Sequence, residues 1–441
     1  MLNYAHRRRT PLAAAVAGLA FGASSVALAQ SSAPAIFVAN NGNLEGSVSS
    51  FTLDSSGRPV LVAKLITGAR ANTQERNPGT NAYSMDLAPS GRFIAVGHTT
   101  ESITTEQITL IQVNPDATLT QVGTASTPDT PLDLAWLSDT VLAVVATGLD
   151  AVVLYRFDAE SGTLTEIERE AAGTGNSAIV VHPSGRWFYT NDTSGFVLRS
   201  FRVEADGSAT LINTESTEGV YALGPGITRD GRFLYAGGGI SGSGRNVVSF
   251  RIDPVTGVAS WGPGSPFSLT DRSPKQAEAS SDGRWLIVAT GTDATVRTMS
   301  ITEPLGILLP GPGFFDVGLQ GTLGTVAVLP DGDRGDLVFV TDNSTALDNT
   351  MGLLTFRLTP DGGLVQNGAI VSTTGIAPTE IRTWLPACAA DFDNSGQVDL
   401  FDYLDFASAF STEDPRADLD SNGQVDLFDY LSFAEAFAEG C

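Results

Sequence analysis

The chain has 441 residues, of which 42% are apolar, and it carries a formal net charge of −24. That length can bury a large core, and 47 glycines in a chain rich in Thr, Val and Ser favour strands over helices. Lys64 and Lys275 are the only lysines. So acidic a chain is not built to bind nucleic acid, which requires basic patches against phosphate.

The first segment, residues 1–29, reads as a signal peptide of bacterial type. Arg7, Arg8 and Arg9 precede the apolar run LAAAVAGLAFGASSVALA, and Ala27-Leu28-Ala29 before Gln30 fits small-residue cleavage. The run is too short and too rich in small residues for a membrane span, and no later stretch is apolar enough for one. The expected location is therefore secreted or cell-surface, with either general or twin-arginine export.

Residues 30–386 read as a repeat array. One phrase is a turn followed by a strand: PSGRFIAVGH from Pro89, HPSGRWFYTND from His182, RDGRFLYAGG from Arg229, SDGRWLIVAT from Ser281 and PDGDRGDLVFVTDN from Pro330. The turn glycines Gly185, Gly231, Gly283 and Gly332 are spaced by 46, 52 and 49 residues. A second phrase, such as SFRVEADGSATLI from Ser200 and SFRIDPVTGVASW from Ser249, occurs seven times, counting a weaker copy from Thr298. Each unit then holds about four short strands joined by Asp-Gly or Ser-Gly turns, which is a β-propeller blade. Seven copies predict seven blades. AIFVANN from Ala35 matches a blade's second strand, so the first blade lacks its innermost one. GIAPTEIRTWLP from Gly375 matches TPLDLAWLSD from Thr130 and supplies the missing strand, closing the ring. Arg92, Arg186, Arg232 and Arg284 recur at one turn position, as expected of repeated ion pairs or stem packing.

This array resembles the lactonase-like seven-bladed propellers, the group of 6-phosphogluconolactonase and the carboxymuconate-cyclising enzymes. HPSGRWFYTND and SFRVEADGSATL carry the resemblance. It implies a His, a Glu and arginines near the central channel. His182 falls at the matching turn, but Asp192 stands where the group often has Glu. Gly175-Asn176-Ser177-Ala178 replaces its Arg-His pair, and Ala236-Gly237-Gly238-Gly239 replaces an arginine-bearing segment. These departures weigh against lactone hydrolysis, and no catalytic residue is nominated.

Residues 387–441 form a third unit, in which DFDNSGQVDLFDYLDFASAF from Asp391 is repeated as DLDSNGQVDLFDYLSFAEAF from Asp418. Oxygen-bearing residues stand at loop positions 1, 3, 5, 7, 9 and 12, with glycine at position 6, the spacing of an EF-hand calcium loop. The predicted ligands are Asp391, Asp393, Ser395, the Gln397 carbonyl, Asp399 and Asp402 in the first loop. In the second they are Asp418, Asp420, Asn422, the Gln424 carbonyl, Asp426 and Asp429. Two calcium ions are expected, with folding coupled to their binding. Each loop is followed by one helix, and Tyr403, Phe406, Ala407 and Phe410 give the first helix an apolar face. The duplication resembles a dockerin, which implies a cohesin-like or cell-surface scaffold partner. Leu400-Phe401 and Leu427-Phe428 occupy the positions that contact a partner in that family, where they are either partner surface or core. Cys388 and Cys441 bracket the module and read most simply as a disulfide, with a terminal attachment point as the alternative.

The expected fold is all-β, a seven-bladed propeller with a small α-helical, dockerin-like paired calcium-loop domain. The leading functional expectation is a docking tail with a propeller that recognises or displays an unidentified ligand. One alternative is an extracellular lactone hydrolase, and another makes the calcium module a purely internal cap.

Overall fold

The computed structural model describes residues 33–42, 45–69, 81–99, 106–238, 244–317, 323–343, 352–386, 389–392, 398, 400–412, 414–417, 419 and 424–439. The signal segment, Cys388 and Cys441 lie outside the described residues.

Seven antiparallel sheets surround a central channel. Their innermost strands are Ser84–Leu87, Pro131–Ser138, Asn176–Val181, Leu223–Ile227, Pro274–Ala279, Leu323–Leu329 and Pro378–Trp384. Six sheets have four strands, and the one beginning at Leu223 has a fifth, Phe267–Ser268, paired with Asn246–Ile252. Pro378–Trp384 pairs antiparallel with Ala35–Asn41, and Glu45–Leu53 and Pro59–Ala69 complete that blade. The last strand of the array therefore shares a sheet with the first, as the sequence predicts. We number the blades from this one, blade 1, along the chain.

The second strand of each blade is almost wholly buried, as in FIAVGH, VLAVVA and LVFVTD, because both of its faces pack against neighbouring sheets. The core accordingly lies between blades. Phe93, Ile108 and Leu110 of blade 2 pack with Trp136, Leu142 and Val153 of blade 3. The recurring turn glycines adopt the left-handed conformation, with φ of +67° at Gly185, +73° at Gly231 and +68° at Gly283. Their arginines pair or stack locally: Arg232 with Asp230 at 2.6 Å, Arg284 with Asp282 at 2.6 Å, and Arg186 over the Trp187 ring.

A second glycine of the repeat sits at the turn between the third and fourth strands, against a large side chain of the preceding blade. A Cβ on Gly257 would lie 2.3 Å from Trp187 Nε1, one on Gly306 2.5 Å from Phe233, and one on Gly362 2.5 Å from Trp285. Tyr189 and Tyr235 donate their hydroxyls to the carbonyls of Gly257 and Gly306, each at 2.9 Å.

The C-terminal unit has two short helices, α1 (Leu400–Ser411) and α2 (Leu427–Glu439). Phe406 and Phe433 stack face to face, 4.0 Å between centroids, and Phe392 packs edge-on against both. Leu400, Phe401, Leu427 and Phe428 are each at least 65% exposed, so they are not core. No described helix is long and apolar enough to cross a membrane.

Candidate active site

The innermost strands carry polar residues at a position where their neighbours in the blade are apolar. Asp86, Asp133, Gln276 and Glu380 are each the third residue of their strand, and Glu278 and Arg382 follow two residues after Gln276 and Glu380. An innermost strand has one sheet edge without a strand partner, so its N–H groups along the channel need acceptors. Asp86 Oδ2 accepts the Trp136 N–H at 2.8 Å, Asp133 Oδ2 accepts that of Ile179 at 2.9 Å, and Gln276 Oε1 accepts that of Val326 at 2.7 Å. Three links between consecutive blades are thus made by one repeated contact.

Arg382 belongs to the ring-closing strand. Its Nε donates to Asp86 Oδ1 at 2.7 Å, and its Nη1 donates to Glu380 Oε1 and to the Ile381 carbonyl. Its Nη2 makes no hydrogen bond among the described residues. The adjacent carboxylates hold the guanidinium firmly in its charged form, above its ordinary range, against the cost of burial.

A cavity of about 410 Å³ opens in the channel beside these groups. Asp86, Gln276, Glu278, Arg382 and Thr383 supply its polar wall, and Trp136, Ile179, Ile227 and Ile381 its apolar wall. Glu278 differs from the other carboxylates here. Both oxygens of Asp133 accept backbone N–H groups, from Leu134 and Ile179. Asp86 is held by Trp136 and Arg382, and Glu380 by Arg382. Glu278 has no hydrogen-bond or ion-pair partner among the described residues. Burial pushes its carboxyl up to about 7, with Glu380 adding to the rise and Arg382 opposing it. Burial and the charge of Glu380 likewise push Asp133 up to about 7. Two carboxyl groups are thus set to exchange protons near neutral pH.

His182 lies on the same wall, at the end where the strand turns. Its Nε2 donates to the Gly231 carbonyl at 3.1 Å, and Ser184 occupies Nδ1, so the ring is a turn element. Burial lowers its pKa. Asp192 lies at the opposite end of the hairpin, paired with Asn176, and accepts N–H groups from Gly175, Ser194 and Gly195 and a guanidinium N–H from Arg199. The structure therefore does not bring His182 and Asp192 together.

Of the predicted calcium ligands, Asp391, Asp402, Gln424, Asp426 and Asp429 are described. Asp393, Ser395, Gln397, Asp399, Asp418, Asp420 and Asn422 lie outside the described residues. Asp402 and Asp429 are fully buried in the first turns of α1 and α2. Asp429 accepts the N–H of Leu419 at 2.7 Å and of Asp426 at 2.8 Å, tying its loop to the helix start. No group of three or more His, Cys, Asp or Glu suited to a metal is found among the described residues.

The family model of the lactonase seven-bladed β-propeller matches residues 42–175 and 167–265, together just over half of the sequence. The chain belongs to that family. None of the curated proteins matches it. Among solved structures, it is similar to a protein from Bacteroides uniformis assigned as a 6-phosphogluconolactonase, at 14% identity and a TM-score of 0.63, covering 80% of this chain and 99% of that one. The periplasmic gluconolactonase of Pseudomonas aeruginosa gives 18% identity and a TM-score of 0.61, covering 81% and 100%. A hypothetical selenium-binding protein from Sulfolobus tokodaii gives 12% and 0.57, covering 79% and 93%. At such identities these neighbours establish the fold alone.

Family membership corrects the leading functional expectation. A propeller that only recognises or displays a ligand while its tail docks to a scaffold is not the reading the lactonase family supports. If the chain is an enzyme, it is a lactone hydrolase.

Proposed function

We propose that this protein hydrolyses lactones in the propeller channel, with Glu278 as general base and Arg382 as electrostatic partner. The observation that carries the proposal is Glu278 itself, a carboxylate without a hydrogen-bond partner among the described residues, on a cavity wall that also holds a guanidinium. Glu278 takes a proton from water as the water oxygen bonds to the lactone carbonyl carbon. The developing oxyanion receives the Arg382 Nη2 N–H. As the intermediate collapses, the ring C–O bond breaks and the proton passes from Glu278 to the departing ring oxygen, which becomes a hydroxyl. The new carboxylic acid ionises, releasing one proton per turnover.

That proton provides the assay: base consumption at constant pH, with spontaneous hydrolysis subtracted. Glu278→Gln is expected to lower kcat by about 10²–10⁴-fold, the usual contribution of a general base, with the fold retained by circular dichroism. Unchanged kcat in that variant removes Glu278 from the mechanism.

For the C-terminal unit, the loop spacing supports two calcium ions held by the oxygens named above, in a dockerin-like arrangement. Calorimetric titration of the full chain with calcium tests this, two sites being the expected result. Export fits an extracellular or periplasmic lactonase, and sequencing of the mature N-terminus tests the cut after Ala29.

A further inference from the structure

We propose that the channel accepts neutral, polyhydroxylated lactones and rejects those bearing a phosphate or a carboxylate. This rests on the lactonase reading and narrows its substrate class. Arg382 is the only lysine or arginine among the described residues on the cavity wall, and Asp86 and Glu380 already neutralise it. Asp86 and Glu278 face the same space, and the charge of Glu380 acts on Glu278 from nearby.

The other described lysines and arginines do not line this cavity. Lys275 is not among the lining residues, and its methylenes lie against Gly291. Arg229 pairs with Asp391 at 3.6 Å, and Arg186 stacks on Trp187. His182 is on the wall, but both its ring nitrogens are engaged. An entering anion would give up its water and meet like charge on a described wall whose one guanidinium is already balanced by two carboxylates, a costly exchange. Sugar hydroxyls suit the same wall: Glu278 accepts from them, and the Gln276 amino group, free of hydrogen bonds among the described residues, donates to them.

The test compares initial rates of the full chain on D-glucono-δ-lactone and its 6-phosphate, by base consumption. The expected result is a kcat/KM at least about a hundredfold higher for the neutral lactone. Asp86→Asn, which removes one of the two charges that balance Arg382, is expected to narrow that ratio about tenfold by raising the rate on the phosphate. Equal rates, or preference for the phosphate, overturn the inference and leave the lactonase reading standing. If neither lactone is hydrolysed, the lactonase reading fails, and calorimetry with the unreactive gluconolactam and its 6-phosphate decides the selectivity. Tighter binding of the neutral lactam supports the inference; tighter binding of the phosphate, or binding of neither, overturns it.

Discussion

At the scale of single residues, burial gives Glu278 two opposite pH signatures. As a general base it works ionised, so kcat/KM is expected to rise with pH through about 7 and then level. Stability runs the other way. A carboxyl whose folded pKa lies above its unfolded value binds more protons folded than unfolded. Its contribution is therefore present at low pH and is lost as pH rises from the ordinary carboxylate range to about 7. His98 opposes this trend: it is buried and held to about 4, so it costs stability as pH falls below the ordinary histidine value. Comparing variants isolates the carboxyl. Thermal unfolding of Glu278→Gln against the unchanged protein is expected to show the variant gaining relative stability between pH 5 and pH 8. A difference independent of pH would mean that Glu278 does not titrate in that window. These residues were within reach of the sequence. The match of TPLDLAW to APTEIRTW already sets Asp133 over Glu380, two acids in strands otherwise built for burial. What the sequence could not supply was which acid lacks a partner, because that depends on contacts between blades far apart in the chain.

At the scale of elements, the strand-joining turn is the unit that holds neighbouring blades together. Gly257 combines a φ of +74° with an indole ring where a Cβ would stand. Gly257→Ala therefore pays for strain and for displacing Trp187 together, and is expected to destabilise the protein by about 2 kcal/mol or more. Gly219, also at positive φ but with open space around it, is the control. Its replacement by Ala is expected to cost only the backbone strain, about 1 kcal/mol. Chemical denaturation measures both. The recurrence of the second phrase made the Gly257 turn legible, because Gly257 in SFRIDPVTGVASW and Gly207 in SFRVEADGSATLI mark the same turn of successive blades. The exposure of Leu400 and Phe401 was not legible: an apolar pair at a helix start reads equally as core or as surface until the partner helix is placed. Phe406, Ala409, Ala417 and Phe433 form that small core, with Phe392 and Phe410 packed against it, and the pair stays outside.

At the scale of the whole molecule, ring closure decides where the chain can be cut. Ending it at Pro386 keeps Pro378–Trp384 in place and is expected to leave a cooperatively folded propeller that gives up the Arg229–Asp391 ion pair to the helical unit. Ending it at Thr374 removes the closing strand together with Glu380 and Arg382. It is expected to abolish both the cooperative calorimetric transition and activity. Retention of the transition would show that six complete blades and one incomplete blade suffice.

The pairing of Ala35–Asn41 with Pro378–Trp384 also sets a timetable for synthesis. The strand made first waits, with one edge unsatisfied, until nearly the whole propeller has been made. Until then no nascent form is a finished ring, and each offers an open edge to chaperones and proteases. The chain thus passes a long interval in which it remains open. Its folding is then sealed in one late event, in which the strand that completes the sheet also delivers the arginine that completes the site.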